Sequence, residues 1–247
     1  MVDLLSLDVV IFLTGTLAAA FVTGLAGFAF GMVAASIWLY ALTPLQASLL
    51  IVAYGILVQG YAVWKLRHSV NMYRLAPFIV GSAAGIPAGV AALRWTASVQ
   101  LRAGVGALLI AFSLYNLVRP RLPEMKGVGR SADLAVGFLN GVLGGATGLA
   151  GILPTIWTSL RGWSGDEQRA VFQPTAVATF LMTILALGGV GAITPDTVHL
   201  FLIGIPALVF GSALGWCLYG KLDEATFRRI VLGLLLVSGT ALLASGR

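Results

Sequence analysis

The chain is 247 residues long, and its composition is typical of a protein that lies in lipid rather than in water. Hydrophobic residues make up 59% of the chain and charged residues only 10%, with a net charge of +6. A soluble domain has about 25% charged residues, so these few charges could not cover a soluble surface. The basic residues fall in loops, which indicates control of membrane topology rather than nucleic-acid binding. No soluble stretch is long enough for a catalytic domain, so the sequence predicts that the protein is not an enzyme.

Apolar segments follow one another with short breaks, and each could form a membrane helix or part of one. They predict an all-α polytopic membrane protein with about 8–10 membrane segments. A stretch at 119–133 with prolines, glycines and mixed charges reads as a linker between two halves. The predicted segments are 9–24, 28–42, 44–64, 76–93 and 101–118 before the linker, and 134–147, 149–160, 171–190, 197–219 and 227–244 after it.

The two halves, residues 1–118 and 134–247, resemble each other. Gly24 to Gly31 and Gly141 to Gly148 both read G-x-x-G-x-x-x-G inside an apolar stretch. Further matches follow in the same order along both halves, which predicts two repeats. These matches are Ser36-Ile37-Trp38 with Thr155-Ile156-Trp157, Gln46-Ala47-Ser48 with Gln173-Pro174-Thr175, and Gly81 to Gly85 with Gly211 to Gly215.

Loop charges predict how the halves are oriented. The linker, the loop before the fourth segment and the loop before the tenth are basic, whereas the N-terminus and the loop before the ninth are acidic. The positive-inside rule places the three basic loops in the cytoplasm and the N-terminus in the periplasm. The halves then form an inverted repeat, and the first two segments of each half return to the side where they began. Because these segments are shorter than the ~20 residues of a full span, we expect glycine-broken pairs, either re-entrant or fully crossing.

Glycine-interrupted segments at matching places in two inverted halves point to a transport site. On this interpretation an anion binds to backbone N–H groups near 28–31 and 147–149, as anions bind at helix N-termini. Since no charged residue falls near the centre of a segment, neutral side chains would complete the site. The alternative is helix packing, because small residues, amides and hydroxyls also join membrane helices. The candidate binding residues are Gly27, Phe28, Phe30, Gly31, Gln46 and Ser48 in the first half and Asn140, Gly145, Thr147, Gly148, Gln173 and Thr175 in the second.

One short run suggests a different chemistry. Residues 162–165 read G-x-S-G, the pattern around the nucleophile of rhomboid-type intramembrane proteases, and His199 could be cast as the base. Ser164 lies in a polar loop before Glu167, however, which favours a helix N-cap. Cys217 and the two histidines are isolated in the sequence, so we predict no catalytic residue, metal site or cofactor.

These features together resemble the TauE/SafE family, the sulfite exporter or toluene-sulfonate uptake permease family, over nearly the whole chain. Its members have two homologous halves, each with a glycine-rich motif of the kind G-x-G-G-G-x-x-x-x-P, a polar-led helix and a short basic loop. Gly145 and Gly148 stand correctly before Pro154, whereas Ser36 occupies the usual proline place of the first half. The resemblance implies movement of sulfite, a sulfonate or a related organosulfur anion across the bacterial inner membrane.

A secondary transporter with a midplane site at the interface of the repeats is therefore the predicted function. A channel-like anion pore is the alternative. The expected partners are a small anionic substrate and the lipid bilayer, and the sequence permits a homodimer.

Overall fold

The computed structural model describes residues 6–26, 29–66, 70–118, 125, 128–218 and 224–244. Within these ranges the chain forms ten helices and no strand. Five of the helices, α1, α4, α5, α8 and α9, are long and apolar enough to cross a membrane, which confirms the predicted all-α polytopic fold. The helices are α1 (Leu7–Ala26), α2 (Phe30–Trp38), α3 (Pro44–Leu66), α4 (Met72–Trp95), α5 (Ser98–Val118), α6 (Arg130–Thr147), α7 (Ile152–Leu160), α8 (Gly165–Gly189), α9 (Pro195–Leu218) and α10 (Glu224–Ala244).

Each predicted segment corresponds to one helix. Two helices differ from their predictions: α8 begins earlier than predicted, and α1 is longer. α8 begins at Gly165 rather than at residue 171, because Ser164 and Glu167 form a capping box. The Glu167 side chain accepts from the Ser164 N–H at 3.0 Å, so helix-end donors are satisfied in a polar stretch. α1 has 20 residues, about 30 Å, so the expectation that it is shorter than a full span is wrong.

By its internal contacts the chain divides into two compact units. Unit 1 contains α1, α2, the beginning of α3 to Ile51, α5, α9 and α10. Unit 2 contains α3 from Val52 onward, α4, α6, α7 and α8. Each unit thus combines helices from both sequence halves. The division of the sequence into repeats at the 119–133 linker stays a prediction.

Glycine allows the closest helix pairs in both units to pack backbone against backbone. In unit 1, Gly211 of α9 lies so near α1 that a Cβ there would be 2.6 Å from the Leu17 carbonyl oxygen. In unit 2, a Cβ on Gly85 of α4 would collide with the Phe138 carbonyl oxygen of α6. Such contacts are how small residues join membrane helices. Along both pairs the contacts advance in the same direction, so α9 runs parallel to α1 and α4 runs parallel to α6.

The two helix pairs also use matching residues. The glycine motifs align Gly24 with Gly141, and the short runs align Gly81 with Gly211 and Gly85 with Gly215. The sequence pairs that predict the repeat therefore make the same kind of contact in both units. Gly211 meets Leu17 and Phe21 while Gly81 meets Leu134 and Phe138, and Gly215 meets Phe21 and Leu25 while Gly85 meets Phe138 and Val142.

In each unit a short helix turns back along the long helix that precedes it. The Trp38 indole at the end of α2 donates to the Phe12 carbonyl oxygen near the start of α1, at 3.1 Å. The Trp157 indole of α7 donates to Asp133 Oδ1 in the first turn of α6, at 2.7 Å. α2 and α7 have 9 residues each, about 14 Å, too short to cross about 30 Å of hydrocarbon. Each pair is therefore a hairpin of one long and one short helix.

Candidate functional site

The break between α6 and α7 in unit 2 is built on glycines that adopt left-handed backbone conformations. Gly148, with φ of 73°, ends α6, and its N–H donates to the Gly144 carbonyl oxygen at 2.8 Å. Gly151, with φ of 92°, is the N-cap of α7. Residues with a Cβ adopt this region only at a cost, so glycine both ends one helix and starts the next.

The corresponding break in unit 1 is chemically different. The N-cap of α2 is Ala29, the one non-glycine residue with positive φ (76°) in the described part of the chain. A left-handed conformation costs an L-residue roughly 1–2 kcal/mol, so local strain is built into this end of α2. The candidates Gly27 and Phe28 lie outside the described residues.

Asn140 joins four helices of unit 2 around the α6–α7 break. Its side chain is fully buried, and its Oδ1 accepts from the Gly151 N–H at 2.8 Å. Its Nδ2 donates to Ser82 Oγ of α4 at 3.1 Å and to Thr179 Oγ1 of α8 at 3.2 Å. Both amide N–H groups are thus used within the protein. Asn140, predicted to bind the anion, holds the start of α7 against α4 and α8 in this structure.

Ser82 and Thr179 are not among the binding residues predicted from the sequence. Ser82 lies within the Gly81 to Gly85 match, which by itself indicates only a repeat. Thr179 lies one helical turn after Thr175, and the spacing of four residues places both on one face of α8. Both side chains are fully buried. The threonines that recur every four residues in α8 are a sequence signal for Thr179, whereas Ser82 stands between Gly81 and Ala83 and gives no such signal.

The backbone donors predicted at 147–149 already have acceptors. Thr147 Oγ1 accepts from the Leu149 N–H at 3.2 Å, and the Ala150 N–H donates to the Gly148 carbonyl oxygen at 3.0 Å. In the first turn of α7, the backbone N–H groups of Ile152 and Leu153 have no acceptor within their own helix. Gly151 has no side chain to cap them. The positive end of the α7 dipole is therefore presented at these two residues.

Gln46 and Gln173, which the sequence pairs, occupy different environments. In unit 1, Gln46 Oε1 accepts from the Thr43 N–H at 3.2 Å, and the Gln46 N–H donates to Thr43 Oγ1 at 3.3 Å. This is a capping box at the start of α3. In unit 2, Gln173 lies well inside α8, beside Pro174. The adjoining residues on this turn pack against Gly151, where an added Cβ would lie 3.0 Å from the Ala176 Cβ.

Within the described residues, two of the predicted binding side chains carry a buried polar atom without a hydrogen-bond partner. They are Ser48, which is 1% exposed, and Gln173, whose Oε1 has no hydrogen bond. Most buried polar atoms are hydrogen-bonded, and an exception requires an explanation such as a ligand. A half-turn of the Gln173 amide exchanges its oxygen and nitrogen, so this place can present a donor or an acceptor. Other such atoms in the described residues are Arg102 Nε, Ser113 Oγ and Thr183 Oγ1.

The remaining candidates make packing contacts. Phe30 is buried against Trp38 in an edge-to-face contact with ring centroids 6.1 Å apart. Gly145 faces α4, where an added Cβ would lie 2.8 Å from the Ile86 carbonyl oxygen. Thr175 is buried and donates to the Val171 carbonyl oxygen of its own helix at 2.8 Å. Gly31, in the first turn of α2, is partly exposed.

Arginines gather at the end of unit 2 where α4, α6 and α8 begin and α7 ends. Arg74 pairs with Glu167 at 2.7 Å and lies over the Trp163 ring at 4.8 Å from its centroid. Arg161 lies 3.9 Å from Asp133, whose carboxylate is buried and also accepts from the Trp157 indole. The Arg74–Glu167 pair brings the starts of α4 and α8 together, and α6, which runs parallel to α4, begins at the same end of the unit. The side of the membrane that this end faces stays a prediction. Asp133 was missed as a buried charge because it falls at the edge of the linker.

Ser164 has the geometry of a helix cap rather than of a nucleophile. Its Oγ accepts from the Glu167 N–H and donates to Glu167 Oε2 at 3.0 Å, in an exposed position. The predicted N-cap is thus confirmed. His199, proposed as the base in the hydrolase alternative, is exposed on α9 of unit 1. Among the residues placed by the structure, no three His, Cys, Asp or Glu side chains are grouped so that they could hold a metal ion.

One of three comparisons with known proteins gives a match. The family model described as sulfite exporter TauE/SafE matches residues 11–242, nearly the whole chain. No curated protein and no solved structure matches.

Proposed function

The chain belongs to the TauE/SafE sulfite exporter family, and from that premise we propose that it is a secondary transporter of a small sulfur-containing oxyanion. The substrate class is sulfite, a sulfonate or a related organosulfur anion, and the membrane is the bacterial inner membrane. The observation that carries the choice of residues is the buried unpartnered polar atom on both Ser48 and Gln173. The sequence selects these two residues as binding groups for an independent reason, their matched places at the two polar-led helices.

In unit 2 the proposal combines the start of α7 with Gln173. The N–H groups of Ile152 and Leu153, together with the helix dipole, favour an oxyanion without any buried lysine or arginine. Gln173 lies on the α8 turn that packs near Gly151, so its amide N–H can complete the hydrogen bonds of the anion. Asn140 serves as a positioning residue, because it fixes the Gly151 N–H and therefore the direction of α7.

In unit 1 the proposal places a corresponding group at Ser48. Its hydroxyl is buried at 1% exposure and has no partner, so it can donate to an anion oxygen. The start of α2 also differs from that of α7, because α2 begins with a strained Ala29 and no side-chain cap. The donors proposed in unit 1 therefore differ in chemistry from those proposed in unit 2.

Counterflow of labelled sulfite in proteoliposomes tests the proposal, with unlabelled sulfonates as competitors. Ser48→Ala and Gln173→Leu should each reduce the initial rate at least about tenfold, because a buried anion loses a hydrogen bond worth roughly 1.5–3 kcal/mol. Ser113→Ala is the matched control for Ser48→Ala, since Ser113 is also a buried serine of unit 1 without a partner. It should transport at the rate of the unaltered chain.

Three results would contradict the proposal in different ways. Equal rates for Ser48→Ala, Gln173→Leu and Ser113→Ala would remove the proposed site while leaving the function. Flux without saturation or countertransport would replace the carrier by a pore. If no sulfur oxyanion moves and none changes the thermal stability of the purified protein, the substrate class is wrong.

A further inference from the structure

A groove on the surface of unit 2 lies outside the transport proposal and has the chemistry of a lipid site. It has a volume of about 650 Å³ and runs along α4 and α6 at the end where both helices begin. Its bed is apolar, and one end carries a guanidinium and a hydroxyl. The lining residues are Met72, Tyr73, Ala76, Pro77, Val80, Arg130, Ser131 and Leu134.

Arg130 is held at the end of the groove because a proline in α4 leaves a backbone carbonyl oxygen free to accept from it. Pro77 has no N–H, so the Tyr73 carbonyl oxygen four residues earlier lacks its helical donor. Arg130 Nη2 donates to this oxygen at 3.4 Å, and its guanidinium stacks 3.1 Å from the centroid of the Tyr73 ring. The side chain is thereby fixed over the groove.

Among the residues that the structure describes, Arg130 uses few of its hydrogen-bond donors. A guanidinium has five N–H donors, and the structure shows one of them bonded, to a neutral carbonyl. In the part of the chain that the structure describes, no Asp or Glu forms a salt bridge with Arg130. The charge therefore calls for an anionic partner, and the planar fork suits the two oxygens of a phosphate diester. Ser131, on the same helix end, adds a hydroxyl beside it.

The apolar bed distinguishes a lipid from a free anion. Met72, Tyr73, Val80 and Leu134 are exposed by 63%, 69%, 58% and 43%. The bed extends from Met72 to Val80, about 12 Å along α4, inside a helix long and apolar enough to span a membrane. A molecule with a phosphate at one end and a hydrocarbon chain beside it matches both parts of this surface.

We infer that the α4–α6 groove binds an anionic phospholipid, with its phosphate at Arg130 and Ser131 and an acyl chain along Ala76, Pro77 and Val80. Basic pockets between membrane helices are where anionic headgroups bind, and each basic side chain near the surface contributes about fivefold in affinity. The lipid lies in the leaflet next to the 119–133 linker, since α6 begins directly after that linker. A second chain, free phosphate and unselective lipid are the competing occupants.

Native mass spectrometry of the purified full-length protein tests this inference, with phosphatidylglycerol and phosphatidylcholine of identical acyl chains. The unaltered protein should retain phosphatidylglycerol about fivefold more than phosphatidylcholine. Arg130→Gln should abolish this preference, and Arg130→Lys, which keeps the charge, should preserve most of it. Arg229→Gln is the matched control, because Arg229 is also an exposed arginine near the start of a helix, α10, and it should retain the full preference.

A substitution in the bed separates the lipid from a free anion. Ala76→Leu leaves Arg130 intact but fills the groove, so phosphatidylglycerol retention should fall while the protein keeps its thermal stability. The inference is overturned if Arg130→Gln keeps the preference or if both lipids are retained equally. It is also overturned if the unaltered protein binds inorganic phosphate but retains no phosphatidylglycerol, or if the protein is a dimer whose groove holds no lipid.

Discussion

At the level of single residues, Asn140 shows how one buried polar side chain can join several helices of a membrane protein. It connects the Gly151 N–H with Ser82 and Thr179, and all of these groups are buried. Thr23, its match in the first half, donates to the Ala19 carbonyl oxygen of its own helix at 2.8 Å. The longer amide thus makes contacts between helices, whereas the hydrogen bond that the threonine donates stays within its own helix. Among the residues that the structure describes, this polar network is found at the break of unit 2.

Asn140→Ala is expected to destabilise the protein by about 1–3 kcal/mol for each buried group left without a partner. The loss should appear as a lower Tm in detergent. Thr23→Ala is the control of similar burial, and it should cost less, because its hydroxyl bonds within a single helix. Equal losses in Tm for the two variants would show that the Asn140 network does not hold the α6–α7 break in place.

Residue roles were only partly predictable from the sequence. The apolar pattern and the polar position of Asn140 identified it as a candidate, and the N-cap at Ser164 followed from its local neighbours. The partners of Asn140 lie on α4, α7 and α8, and no local pattern indicates which of the neutral polar residues meet. Gln46 was paired with Gln173 because their neighbours match, but a threonine three residues before Gln46 gives it a capping role that Gln173 lacks.

At the scale of elements, glycine determines which helices lie closest together. A Cβ on Gly85 of α4 would collide with backbone atoms of α6, whereas a Cβ on Gly104 of α5 would meet nothing within 4 Å. Backbone cannot move aside as the tip of a flexible side chain can. The sequence indicates that glycines can join helices. It does not distinguish a glycine in contact with another helix from one that faces open space.

The pair Gly85→Ala and Gly104→Ala tests this view of helix packing. Gly85→Ala should lower stability by about 1–3 kcal/mol, the usual cost of overpacking, because α4 and α6 must separate. Gly104→Ala should be neutral or stabilising by up to about 1 kcal/mol, since alanine favours the helix over glycine. Thermal unfolding of both variants in the same detergent gives the comparison. A Gly85→Ala protein as stable as Gly104→Ala would show that the two helices tolerate a wider separation.

At the scale of the whole molecule, each compact unit depends on both sequence halves. α9 from the second half packs along α1 in unit 1, and α4 from the first half packs along α6 in unit 2. The sequence predicted the number and order of helices from local hydropathy. It could not predict this exchange, because helix partners are chosen by surface fit between segments that are far apart in the chain.

The exchange leads to a prediction about the two halves as separate chains. Residues 1–124 contain α4 without its partner α6, and residues 125–247 contain α9 without its partner α1, so each fragment leaves a glycine-lined helix face unpacked. Expressed alone, each fragment should be degraded or fail to give a monodisperse membrane protein. Expressed together, they should co-purify, because the missing partners are restored while the cut falls in the predicted linker.

Binding of the two fragments is measured by affinity capture of a tag on one of them, and Gly85→Ala in the first fragment should weaken this binding. Two fragments that are each stable alone, and that do not associate, would show that the pairs α1–α9 and α4–α6 do not determine the assembly.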